Sequence, residues 1–304
     1  MAIRAAARNN TRVTRWLLVL VVAAACSAPQ HKHKHNDNDH DDDGDTASTP
    51  FVDKKGFVPT SFDVQVSGKG RPVIFVPGLG CPGEVWAGTV AHLGKGYQAH
   101  VLTLAGFAGQ PPINKPLSAT VRKELARYIR SNRLEGSVIV GHSMGGFIAY
   151  WLAAQLPDLV SAVIIVDAGP ALSGDMEEAK SLRDQWRGAT DEEFTDRTRV
   201  MFSGMVNDPK KLATILDDVA KSDRKTLGDA VYELMTTDLR DRIAEIKAPV
   251  LVVLADGGLQ DRIKGQVAPI PHHEIIVLKN THHFLMYDDP EGFYRAIDKF
   301  LAKH

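Results

Sequence analysis

The stretch GHSMG, residues 141–145, places a serine between two glycines. The apolar run before it, residues 137–141, is typical of a buried strand, and the run after it has helical character. A serine on a sharp strand-to-helix turn, with glycines two positions away on either side, is held with its Oγ exposed for nucleophilic attack. Such a hydroxyl reacts only with the help of a base and an oxyanion site. The alternative is that Ser143 caps the following helix.

The elements that must position this serine are visible as short apolar runs separated by helical patterns. The predicted strands span residues 62–66, 72–76, 99–104, 137–141, 162–167, 250–254 and 274–278. Most of them are continuous and β-branched, as in parallel strands that are buried on both faces. Helical patterns at 117–134, directly after Ser143 and at 290–301 alternate with them. The alternation predicts an α/β fold with a mostly parallel central sheet flanked by helices.

One segment interrupts the alternation. About residues 172–245 carry only helical patterns, although an ordinary connection between two strands is far shorter. We therefore expect a helical cap over the carboxyl end of the sheet. Four large apolar side chains either line a cleft beneath this cap or pack its own core: Trp186, Met201, Phe202 and Met205.

Taken together, these features resemble the α/β-hydrolase superfamily, in its capped, single-domain serine hydrolase form. The resemblance covers about residues 57–304 and includes the strand order, the serine turn, an early glycine loop, the cap and a late histidine. The segments "VPGLGCPGEVW" and "HHFLMYDDP" also resemble those of exported bacterial hydrolases. The resemblance implies an α/β-hydrolase domain over residues 56–304 that works without a cofactor.

In this superfamily an early loop helps to hold the oxyanion. "FVPGLG", residues 75–80, stands where members usually have His-Gly-x. The donors are backbone amides, so the missing histidine does not remove them, and the resemblance assigns the N–H groups of Leu79 and Met144 to the oxyanion hole. The alternative is a plain strand-to-helix turn. Cys81 lies beside this loop but lacks a serine-like turn, which disfavours it as a nucleophile.

The base is expected to be a histidine late in the chain. The superfamily pattern is a histidine followed by phenylalanine, further apolar residues and Asp-Pro, and this register selects His283 within residues 280–290. His282 is the alternative. His272 and His273 precede the last predicted strand, which is a less suitable place.

The acid is where the sequence departs from the commonest superfamily pattern, because the expected register lands on Gly258. Asp256 and Asp261 are nearby but out of step. Some superfamily esterases carry the acid at the end of the preceding strand, and Asp167 stands there. We therefore expect Asp167 to orient His283, with Asp256 as the first alternative and Asp261 as the second; a further alternative is that Asp167 only binds loop amides.

The resemblance implies a serine hydrolase that cleaves a small-molecule carboxylic ester through an acyl-serine intermediate. The same constellation serves thioesterases, lactonases, C–C hydrolases and perhydrolases. A hypothesis of another class is a non-catalytic envelope binding protein built on this scaffold. The formal charge of −1 does not point to nucleic acid as a partner.

The first 25 residues predict a signal peptide, with four arginines before the apolar run "WLLVLVVAAA". "AAAC" resembles a lipobox, which would make Cys26 the lipidated mature N-terminus; the alternative is ordinary cleavage after Ala25. Both interpretations export the protein to the cell envelope. With a lipid anchor, Ser27 favours the periplasmic side of the outer membrane.

Residues 26–55 contain almost no apolar side chains and predict a disordered linker. Their histidines and aspartates are weak candidates for binding a metal, and the alternative is a solvated spacer. The histidines are His31, His33, His35 and His40. The folded part of the chain shows no convincing metal motif.

Overall fold

A single sheet of seven strands organises residues 57–172 and 174–304, the part of the chain that the computed structural model describes. The strands are β1 (Phe62–Gly68), β2 (Gly70–Val76), β3 (Gly96–Leu104), β4 (Ser137–His142), β5 (Val160–Val166), β6 (Val250–Ala255) and β7 (His273–Leu278). Their order is β1-β3-β2-β4-β5-β6-β7, and β1 alone runs antiparallel to its neighbour. All seven predicted strands and the α/β fold class are confirmed.

The sheet is buried where its sequence is continuously apolar. Every residue of β4 and β6 is buried, as expected for central parallel strands covered on both faces. β1 lies at the edge and is mostly exposed. Because β2 to β7 run parallel to one another, their carboxyl ends meet at one edge of the sheet. The loops that carry the candidate residues begin at this edge.

Helices follow the strands as the alternation predicts. They are α1 (Ala87–Leu93), α2 (Leu117–Ser131) and α3 (Met144–Gln155). Nearly all of α3 is buried, because it packs against β4 and β5 and is apolar all round. This burial fixes the start of α3, and with it the turn that contains Ser143.

Four helices fill the long segment between β5 and β6, and we call residues 176–236 the cap. They are α4 (Met176–Arg187), α5 (Asp191–Phe202), α6 (Pro209–Val219) and α7 (Arg224–Thr236). Each begins after a residue whose side chain accepts a backbone N–H of its first turn: Asp175, Thr190, Asp208 and Asp223. These caps divide the segment into separate helices.

A buried carboxylate fastens the cap to the body of the protein. Glu233 on α7 accepts the N–H groups of Ser118 at 2.7 Å and Ala119 at 2.9 Å, in the first turn of α2. Burial raises the pKa of Glu233. The position of α7 is thus coupled to a helix that packs on the sheet.

After β6 the chain forms α8 (Gln260–Val267), α9 (Leu285–Asp288) and α10 (Pro290–Leu301). We call residues 279–284, between β7 and α9, the base loop. Across residues 57–172 and 174–304, no helix combines the length and apolar character needed to cross a membrane. The predicted signal peptide, Cys26 and the histidine-rich linker lie outside the described residues.

Candidate active site

Ser143 sits on the turn between β4 and α3 in a strained backbone conformation. Its φ is 54° and its ψ is −120°, a region that side-chain-bearing residues rarely adopt. Its N–H donates to the carbonyl of Val166 at 3.0 Å, which joins the turn to the end of β5. The hydroxyl makes no capping hydrogen bond to α3, so the turn does not use the side chain for helix capping.

Three glycines make room for this turn. A Cβ on Gly141 would lie 2.3 Å from the carbonyl oxygen of Gly145, and a Cβ on Gly145 would lie 2.2 Å from that of Val76. On Gly146 it would lie 2.7 Å from the Cβ of Ala168. Two of these three neighbours are backbone oxygens, one in α3 and one in β2, and the third is a side-chain atom just after β5. A side chain at any of the three glycines would therefore displace the sheet, the helix or the serine.

Two backbone amides border the serine. Cys81 N–H donates to the Gly78 carbonyl at 3.2 Å, and Gly80 has a φ of 72°, which together form a tight turn. Leu79 occupies the second position of this turn, whose N–H the turn leaves unused. Met144 is the first residue of α3, where the helix supplies no acceptor for the N–H.

His283 and Asp167 meet across the end of the sheet. Nδ1 of His283 lies 2.7 Å from Oδ2 of Asp167, and the other carboxylate oxygen accepts the Ala255 N–H at 2.9 Å. Burial disfavours the charged form of Asp167, but the hydrogen bonds from His283 and Ala255 outweigh it and lower the pKa of the carboxyl. An ionised Asp167 keeps the proton on Nδ1 and leaves the Nε2 lone pair of His283 available as a base.

The alternative acids and the alternative base take no part in the contact between His283 and Asp167. Asp256 pairs with Lys279 at 3.3 Å, and that hydrogen bond lowers its pKa. Asp261 is exposed and pairs with Lys264. The ring of His282 lies against Asp288, with Nδ1 3.1 Å from a carboxylate oxygen. Of the candidates from the sequence, the structure brings only Asp167 to a histidine of the base loop.

His142, which the sequence analysis did not single out, binds the backbone of the base loop. Its Nε2–H donates to the carbonyl of His283 at 3.0 Å, while Nδ1 has no hydrogen-bond partner. The ring packs against those of Trp86, His283 and Phe284. Burial, and next the proximity of His283, lower the pKa of His142 to about 3, so its ring is neutral at physiological pH.

Ser143 and His283 line one small cavity of about 60 Å³ beneath the cap. Its remaining lining comes from the glycine loop, the end of β4, the cap and the base loop: Gly78, Leu79, Cys81, His142, Met201, Phe202, Met205 and Phe284. Three of the four apolar cap residues considered from the sequence therefore contribute to the wall. Trp186 instead packs on Phe194 within the cap.

Cys81 belongs to the wall of this cavity rather than to its reactive groups. Burial, and next the charge of Asp218, raise the pKa of Cys81 to about 12, so its sulfur is a neutral thiol. The described residues contain no cluster of three or more histidine, cysteine, aspartate or glutamate side chains arranged to hold a metal ion.

Comparison with known proteins is decisive for the family. Residues 73–296 match the Alpha/beta hydrolase family, over more than half of the chain. The chain belongs to this family. The hydrolase is also similar to the pimeloyl-[acyl-carrier protein] methyl ester esterase of Vibrio cholerae, with 24% identity over 262 residues that cover 79% of this chain and 97% of the relative.

Solved structures show the same fold at lower sequence identity. The enol-lactonase from Burkholderia xenovorans LB400 aligns with a TM-score of 0.72 and 18% identity, covering 79% of the hydrolase and 95% of that chain. A thermophilic esterase from Thermogutta terrifontis aligns with a TM-score of 0.71 and 18% identity, covering 80% and 93%.

Gly145→Ala should destabilise the hydrolase, because the new Cβ would lie 2.2 Å from the Val76 carbonyl oxygen. We expect the free energy of unfolding to fall by about 3 kcal/mol. Gly265→Ala is the matched control, since Gly265 lies in α8 with open space around it and alanine should stabilise the helix by ~0.5–1 kcal/mol. Urea unfolding measures both, and equal effects would contradict the steric explanation.

His142→Phe should change how stability depends on pH. The unfolded chain protonates this histidine near pH 6.5 and the folded chain only near pH 3, so His142 lowers the stability of the wild type as the pH falls below 6.5. Phenylalanine cannot be protonated, so the variant should gain ~1.4 kcal/mol per pH unit relative to the wild type between pH 6 and pH 4. Urea unfolding at several pH values tests this; a constant difference would contradict it.

Proposed function

We propose that the hydrolase cleaves a carboxylic ester through an acyl-serine intermediate. The observation that carries the proposal is the 2.7 Å contact between His283 and Asp167, at a histidine that shares one cavity with the strained Ser143. A base oriented by a buried carboxylate, beside a serine on a strand-to-helix turn, is the geometry that serine hydrolases of unrelated folds share.

In the proposed mechanism His283 Nε2 takes the proton of Ser143 as Oγ attacks the ester carbonyl. The N–H groups of Leu79 and Met144 stabilise the oxyanion of the tetrahedral intermediate. The C–O bond of the ester breaks, and the imidazolium gives its proton to the leaving alcohol. Water then attacks the acyl-serine by the same route, with His283 again as base, and releases the carboxylic acid.

The cavity supports a short, uncharged acyl group as the preferred substrate portion. Of the lining residues none is lysine or arginine, and most are apolar. A water needs about 10–15 Å³ of comparable volume, so a cavity of about 60 Å³ has room for roughly four to six non-hydrogen atoms. The names of two similar proteins, a methyl ester esterase and an enol-lactonase, are consistent with an open or a cyclic ester as substrate.

We propose that this reaction takes place in the cell envelope, from the predicted signal peptide of residues 1–25 and the lipobox-like Cys26. Globomycin, which blocks lipoprotein signal processing, should cause a precursor to accumulate if Cys26 is lipidated.

The first test is the hydrolysis of p-nitrophenyl acetate, butyrate and octanoate by the purified protein. We expect kcat/KM to be highest for the two short esters and about 10-fold or more lower for octanoate, because the longer chain exceeds the cavity. Ser143→Ala should lower kcat/KM by at least about 10³-fold. Turnover that survives in this variant would refute the acyl-serine mechanism, and no turnover in either protein would favour a binding protein.

Asp167→Asn and Asp256→Asn distinguish the acid. Asparagine at position 167 removes the charge that stabilises the imidazolium, so we expect kcat to fall by about 10³–10⁴-fold. Asp256 pairs with Lys279 away from His283, so the same change there should leave kcat within about 2-fold. The opposite result would assign the acid to Asp256.

A further inference from the structure

The carboxylate of Asp288 is buried but takes no part in the proposed triad. Its side chain is 1% exposed, at the end of α9. One oxygen accepts the backbone N–H of His282 at 2.7 Å and lies 3.1 Å from Nδ1 of the same residue. The other oxygen accepts the backbone N–H of Asn207 at 2.7 Å. One carboxylate thus binds two separate segments of the chain.

The first segment is the base loop, and the second belongs to the cap. We call residues 203–208, between α5 and α6, the cap linker. Two further hydrogen bonds join them: Asn207 Nδ2 donates to the Asn280 carbonyl at 3.1 Å, and Phe284 N–H donates to the Met205 carbonyl at 2.9 Å. Asp288 therefore lies at the centre of a seam between the cap linker and the base loop.

This seam runs beside the candidate site. His283 lies between His282, which Asp288 holds, and Phe284, which binds the cap linker. Met205 and Phe284 both line the cavity. The same few hydrogen bonds therefore set the place of the base and the position of one cavity wall.

A carboxylate suits this place because it only accepts hydrogen bonds, and it meets two N–H groups and a ring nitrogen. An asparagine has one accepting oxygen, so its NH₂ group would face a backbone N–H in either orientation. The loss would leave the N–H of His282 in the base loop or that of Asn207 in the cap linker without its acceptor.

We propose that Asp288 is a positioning residue that holds the cap linker against the base loop, and so sets both the placement of His283 and the acyl length that the cavity admits. The catalytic consequence rests on the proposed ester hydrolysis. The seam itself does not depend on that reaction, and its hydrogen bonds can be measured in an inactive protein.

The test compares Asp288→Asn with Asp289→Asn, the same substitution at the adjacent position. Asp289 caps α10 by accepting the Gly292 N–H at 2.9 Å, and asparagine is an equally good cap. Asn207→Ala is the third variant; it removes the bond to Asn280 and leaves the base loop's own contact with Asp288 intact.

The substrates are p-nitrophenyl butyrate and octanoate. We expect Asp288→Asn to lower kcat/KM for butyrate by about 10-fold or more, because a displaced base slows the reaction. The ratio of octanoate to butyrate turnover should rise by about 5-fold, because the wall that carries Met205 is released. Asn207→Ala should raise this ratio without the loss on butyrate. Asp289→Asn should change neither quantity.

Hydrogen exchange provides the readout that does not depend on catalysis. The backbone amides of His282 and Asn207 should exchange faster in Asp288→Asn than in the wild type. In Asp289→Asn their exchange rates should equal those of the wild type. If the wild type hydrolyses no ester, the proposed function fails, while exchange still decides whether the seam exists.

The proposal is overturned if Asp288→Asn leaves exchange at both amides unchanged. With an active wild type, it is also overturned if the variant is merely less stable and keeps the wild-type ratio of octanoate to butyrate. If Asp288→Asn fails to fold, Asn207→Ala provides the test through its ratio of octanoate to butyrate turnover. If the wild type is also inactive, the test is the hydrogen exchange of the base-loop amides in Asn207→Ala. Wild-type values in that variant would refute the seam.

Discussion

The backbone of Ser143 is the constraint on which the rest of the site depends. Its positive φ is possible only because Gly141, Gly145 and Gly146 leave space for neighbouring backbone, and because β2 and β5 pack directly against the turn. The strain is maintained by the burial of β4 and α3 on either side. A tightly packed parallel sheet is therefore a requirement of the proposed chemistry as well as the scaffold that carries it.

Around this turn the hydrolase arranges two kinds of electrostatic environment. Asp167 is kept ionised by hydrogen bonds, whereas His142 and Cys81 are kept neutral by burial. The charge of Asp167 beside His283 thus lies near side chains that burial keeps neutral. In such a setting the Asp167 carboxylate stabilises an imidazolium more strongly than it would in water.

The base loop is held by contacts from several parts of the protein. Asp167 binds the ring of His283, His142 binds its carbonyl, Asp288 binds the preceding amide, and Met205 of the cap binds the following one. Asp167, His142 and Met205 come from elements far from the base loop in the chain, whereas Asp288 is six positions from His282. Displacement of the cap would therefore reach the base directly, through the backbone on both sides of it.

Much of this arrangement follows from local pattern. The seven strands, the serine turn and the all-helical segment are visible in the sequence because each leaves a local mark: continuous apolar runs, glycines around a serine, and helical patterns. The position after the last strand offers both His282 and His283, and the register of the superfamily pattern selects His283. Asp167 and Asp256 both follow strands that end at the active edge, so pattern alone leaves them as alternatives.

The sequence by itself determined the fold class, the serine turn and the short set of candidate acids and bases. Only the tertiary structure decided which carboxylate meets His283, since Asp167 and His283 are 116 residues apart and their contact depends on the pairing of β5 with β6. Asp288 and Asp289 show the same limit: adjacent and chemically identical, one caps a helix and the other joins the cap to the base loop. Side-chain chemistry is local, whereas the partner that gives it a role is brought near by folding.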